Sequence, residues 1–75
     1  MPERLPVVSG SETARAFESL GWKFIRQRSS HLIYVRAGSA VSLSIPDHRE
    51  VAKGTLRKLI RLAEITVEEF VAALR

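Results

Sequence analysis

Seventy-five residues, with twelve Lys and Arg against eight Asp and Glu, make one small domain (1–75) carrying a formal charge of +4. A chain this short buries only roughly 60% of its unfolded surface and has no cysteine for a disulfide or thiolate metal site, which excludes a large cofactor enzyme and makes a partner subunit a source of stability. The positive field points to an anionic partner, and 45% hydrophobic with 27% charged residues argues for a folded chain.

Pro2, Glu3 and Pro6 stand where an export signal would need a long apolar run, and apolar stretches elsewhere are strand-sized, so a cytoplasmic protein without membrane contact is expected. Ser9 and Glu12 have capping-box spacing. Thr13, Ala16, Phe17 and Leu20 then recur at helical period, which predicts a helix from about Ser9 to Leu20 stopped by Gly21. Trp22–Arg28 and His31–Arg36 are aromatic and β-branched on either side of Ser29-Ser30, a hairpin signal. After the turn Ala37–Ala40, Val41-Ser42-Leu43-Ser44-Ile45 alternates, predicting a third strand with Val41, Leu43 and Ile45 facing the core until Pro46 ends it.

Beyond the polar loop Asp47–Gly54, Thr55 is expected to cap a helix with the apolar stripe Leu56, Leu59, Ile60 and Ala63. Thr66 and Glu69 form a second capping box, and Val67, Phe70, Val71 and Leu74 give a short last helix. The order is helix, three antiparallel strands, helix, helix. This is an α+β domain whose helices cover one face of a small sheet and leave the other open.

Positive charge clusters in two places. Lys23, Arg26, Arg28 and Arg36 lie on the hairpin, and Lys53, Arg57, Lys58 and Arg61 lie around the penultimate helix; either group suits a phosphate backbone. Arg57, Lys58 and Arg61 equally fit the solvated face of an amphipathic helix. With Ser29-Ser30 as a two-residue loop, Arg28 pairs with His31, Arg26 with Ile33 and Phe24 with Val35, all on one face. A neutral imidazole beside a guanidinium fork is a reasonable site for RNA cleavage, because the strand supplies its own 2′-hydroxyl nucleophile and needs only a base and a phosphate clamp. A surface strand histidine without a role is the plainer alternative. His48, in the loop before the basic helix, is a second candidate without an assigned role; the acid that a leaving 5′-oxygen needs is not identifiable from the residues, with Tyr34, His48, Lys53 and water all open. Two histidines with one Asp and no cysteine make a weak case for zinc or other metal-centred chemistry, and no cofactor is expected. Lys53-Gly54-Thr55 suits either phosphate binding or ordinary capping. Trp22 and Tyr34 suit base stacking, but packing is the commoner use.

Leu20-Gly21-Trp22, Ile25 through Tyr34, Ile45-Pro46-Asp47-His48, and Lys53 through Ile60 with Ala63-Glu64-Ile65 together resemble the HicA family of bacterial toxins, also called YcfA-like proteins. The resemblance covers nearly the whole chain. It implies an αβββα fold like a double-stranded-RNA-binding domain, with an extra short C-terminal helix here, and an mRNA interferase that blocks translation. It also implies neutralisation by a HicB-type antitoxin, the chain being monomeric alone and hetero-oligomeric with that partner. The histidine of the family's Gly-Ser-His signature is catalytic, and His31 is the matching position, although Ser29 replaces the usual glycine. Arg26, Arg28, Ser30, Lys53, Arg57, Lys58 and Arg61 form the expected RNA-binding set, with the first helix and the basic helix as RNA-facing surfaces. A non-catalytic RNA-binding module is the alternative.

Overall fold

The computed structural model describes residues 4–75; Met1–Glu3, which begin the stretch read as unsuited to export, lie outside the described residues. Helix α1 (Gly10–Ser19) starts where its capping box predicts: the Glu12 N–H donates to Ser9 Oγ at 3.1 Å and the Ser9 N–H donates to Glu12 Oε1 at 2.9 Å. It ends by a Schellman closure. The Gly21 N–H donates to the Glu18 carbonyl, the Trp22 N–H donates to the Phe17 carbonyl, and Gly21 takes the left-handed φ of 97° this requires. The Trp22 ring then meets Phe17 edge-on with centroids 6.4 Å apart, so the stop signal also seats a core residue.

Strands β1 (Lys23–Arg28), β2 (His31–Val35) and β3 (Leu43–Pro46) form an antiparallel sheet in the order β1-β2-β3. Tyr34, Leu43 and Ile45 are buried on one face, while His31 and Ser44 are exposed on the other. Helices α1, α2 (Lys53–Leu62) and α3 (Val67–Ala73) cover the buried face. Phe17, Phe70, Leu43, Ile45 and Leu56 are fully buried there, with Phe17 and Phe70 rings 5.4 Å apart. Each such side chain contributes roughly 1.5–3 kcal/mol by leaving water. The α+β architecture and the αβββα order therefore match the expectation, and the final helix carries the Thr66–Glu69 capping box.

Three local expectations are corrected. Phe24 pairs with Tyr34, not Val35, because the register shifts between Phe24 and Arg26 and leaves Ile25 without a partner. Phe24 and Tyr34 rings pack edge to face at 5.7 Å across this bulge. Val41 lies outside β3 and is only half-buried, its N–H donating to Ser39 Oγ at 3.3 Å instead of to a neighbouring strand. Thr55 does not cap α2. The helix begins at Lys53 after Ala52, because the Val51 N–H donates to the Val8 carbonyl at 2.8 Å and anchors the buried Val51 side chain just before the helix starts.

Candidate functional site

The hairpin turn puts His31 in the open. Ser29 adopts a left-handed φ of 51°, the conformation that favours glycine, and the Gln27 side-chain amide donates to its carbonyl at 3.0 Å. The connection is thus two residues long despite the serine, and β2 starts at His31 directly opposite Arg28, with Arg26 opposite Ile33. Strand alternation keeps these four residues on the face turned away from Tyr34 and the core. His31, Arg26, Arg28 and Ser30 are all exposed. Phe24 does not join them, since the bulge pairs it with Tyr34.

On its other side His31 pairs with Pro46, the last residue of β3. The chain then stays against the hairpin for one more rung, because the Asp47 N–H donates to the Ser30 carbonyl at 2.7 Å. The start of α1 clamps the same loop from behind. The Gly10 N–H donates to the His48 carbonyl at 2.8 Å. A Cβ on Gly10 would collide with the Pro46 carbonyl oxygen and lie 2.8 Å from Asp47 Cα. Backbone bonds from two distant parts of the chain therefore set where His48 emerges.

The result is a groove of about 620 Å³ between the open face at β3 and the flank of α2. Its polar lining includes His31, His48, Glu50 and Lys58 with the hydroxyls of Ser42, Ser44 and Thr55, and Leu59 and Leu62 form part of its apolar wall. Of the basic residues of α2, Lys58 reaches this groove; Lys53, Arg57 and Arg61 are exposed but do not line it. Lys53 opens a helix whose N-cap, Ala52, offers no side-chain hydrogen bond. The first turn of α2 thus presents N–H groups and a cation without an acid, a combination suited to phosphate. Helix α1 differs, its outer surface carrying Glu12 and Glu18 beside Arg15.

Tyr34 and Trp22 both belong to the interior. The Tyr34 hydroxyl donates to Glu18 Oε2 at 2.6 Å. Burial first, and then the hydrogen bond and charge of Glu18, push its phenol above the ordinary range. Tyr34 is therefore neither a stacking platform nor a proton donor for the open face. Trp22 is 2% exposed and lies beneath the Arg36 guanidinium, whose carbon is 5.0 Å from the ring centroid.

Sequence reasoning names His48 as a second candidate but does not place it beside His31. Its partnership with His31 is visible only through the register, since Pro46 opposite His31 brings the Pro46-Asp47-His48 segment to the turn. Among the described residues, no group of three or more His, Cys, Asp or Glu side chains is placed to hold a metal ion. No helix of the described residues is long and apolar enough to cross a membrane.

A comparison with curated proteins finds no match. A family model described as the HicA toxin of bacterial toxin–antitoxin systems matches residues 10–65, from the first residue of α1 to the residue after the left-handed Glu64 that closes α2. That span holds the hairpin, the loop clamped by Gly10 and the basic helix, and the chain belongs to the HicA toxin family.

Proposed function

We propose that this toxin is an endoribonuclease that cuts mRNA in the cytoplasm and so blocks translation, with His31 as the general base. The observation that carries this reading is an exposed imidazole directly opposite Arg28 and lining a groove with Lys58. Arg26, Arg28 and Ser30 are suited to hold the phosphate from the hairpin side, Lys58 from across the groove, and Lys53, Arg57 and Arg61 to hold the strand as it runs along α2. Helix α1, with Glu12 and Glu18 outward, is a poor surface for the same polyanion. His31 takes the proton of the 2′-hydroxyl as that oxygen attacks phosphorus, and the cations stabilise the charge that gathers on the phosphoryl oxygens. The nucleophile comes with the substrate, so the reaction asks for no metal. The partner of this toxin is, in the same reading, a HicB-type antitoxin that lays acidic side chains over His31 and the arginines, converting a monomer into an inactive hetero-oligomer.

Single-stranded RNA incubated with the protein and EDTA is the test. Wild type should cut it. His31→Ala should lower the rate by roughly 10²-fold or more, and a 2′-deoxy substitution at the scissile nucleotide should block cleavage there. Cutting that persists in His31→Ala overturns the assignment, and salt-sensitive binding without product points instead to a non-catalytic RNA-binding module.

A further inference from the structure

Cleavage by a 2′-hydroxyl needs a second proton transfer, because the departing 5′-oxygen is a poor leaving group unless it is protonated as the P–O bond breaks. We infer that His48 supplies that proton, as general acid to His31's general base, an inference that rests on the nuclease reading above. Both imidazoles line the same groove and both are exposed. They reach it from different elements, His31 from the start of β2 and His48 from the loop after β3, so a phosphodiester lying in the groove has one ring available to each of its two reacting oxygens. The backbone holding His48 is fixed at both ends, by the Asp47 bond to Ser30 and by the Gly10 bond to His48 itself. These bonds fix the main chain from which the proton donor extends, so the backbone beneath it does not have to be ordered during the reaction.

The other groups in the groove are worse donors. Lys58 brings a long basic side chain to the groove from α2. It suits a fixed charge on the phosphate better. Glu50 is an acidic side chain better suited to orient a neighbouring imidazole by attraction. Ser42, Ser44 and Thr55 are hydroxyls. Imidazole is the side chain that exchanges a proton between about pH 5 and 8.

The step balances without any added reactant. The 2′-oxygen forms a bond to phosphorus and loses its proton to His31, the bond from phosphorus to O5′ breaks, and O5′ takes a proton from His48. The products are a 2′,3′-cyclic phosphate and a 5′-hydroxyl end. One ring has gained the proton that the other has lost.

The test compares two versions of one RNA, mapped first with wild type. One has the natural O5′ at the scissile bond. The other has sulfur in its place, a leaving group that needs no proton. His48→Ala and His48→Gln should slow the oxygen substrate by roughly 10²–10⁴-fold and leave the sulfur substrate within a few-fold of wild type, whereas His31→Ala should slow both. Equal losses on both substrates, or an oxygen-substrate rate near wild type, would overturn the role of His48 while leaving the nuclease reading intact. Failure of wild type to cut either RNA would remove both.

Discussion

Helices α1 and α2 have the same length of ten residues and both pack against β3, yet their outward sides and their starts are opposites. Helix α1 begins with a reciprocal cap and an acid in its first turn and ends without a base; α2 begins with an uncapped alanine and a lysine and ends with Arg61. A cap and a first-turn acid each stabilise a helix by about 0.5–1 kcal/mol. Helix α2 forgoes both at its first turn. Its inward stripe of Leu56, Leu59, Ile60 and Ala63, all buried, holds it in place, which leaves its exposed positions free to serve an anion. Helix α1 thus draws its stability from its ends as well as its packing, whereas α2 draws it from packing and presents an exposed face rich in cations.

The largest expected break in this comparison comes from two glycines in the first turns of these helices. Gly10→Ala drives a methyl group into the backbone of Pro46 and Asp47, and should destabilise the domain by about 2–3 kcal/mol in urea unfolding. Gly54→Ala meets nothing within 4 Å, and should raise stability by up to about 1 kcal/mol. A smaller effect separates the outer surfaces. Arg57→Gln combined with Arg61→Gln should weaken RNA binding and flatten the slope of log affinity against log salt by about 0.7 for each phosphate no longer neutralised, while Arg15→Gln on α1 should leave that slope unchanged. Equal slopes for the two variants would remove the distinction between the helices.

The smallest effect asks whether Glu18 on α1 belongs to the fold. Its carboxylate accepts the Tyr34 hydroxyl, and the folded chain holds that phenolic proton more tightly than the unfolded chain does. The resulting stability is fully present below about pH 10, the ordinary range of tyrosine, and is lost as pH rises above it. Unfolding midpoints followed upward from there should fall more steeply in wild type than in Tyr34→Phe. The chain has a single tyrosine, so tyrosinate absorption reports the same event directly.

The elements themselves are legible wherever the signal is local. Ser9 with Glu12, Thr66 with Glu69, and Gly21 after Leu20 each name a helix end through side-chain chemistry within four residues, and each is found in place. Pairing of Arg28 with His31 follows from the length of the serine turn alone. What sequence does not reveal depends on partners far along the chain. The start of α2 is governed by the bond between Val51 and Val8, and the bulge at Ile25 accompanies the packing of Phe24 on Tyr34. The groove is hidden for the same reason. Only the folded chain brings Gly10, Ser30 and His48 together, and no spacing in the sequence encodes that meeting.

Strand β1 forms one margin of the sheet, and all six of its residues are exposed, including Phe24 and Ile25 at about half of their full accessibility. Such a border invites another molecule's strand to dock along it, and Lys23, Arg26 and Arg28 discourage this by mutual repulsion between copies. Arg26 and Arg28, proposed above to hold a phosphate, thus also place charge, with Lys23, along the edge where a second strand would otherwise pair. Replacing these three charges with neutral residues should leave that border open to pairing between copies.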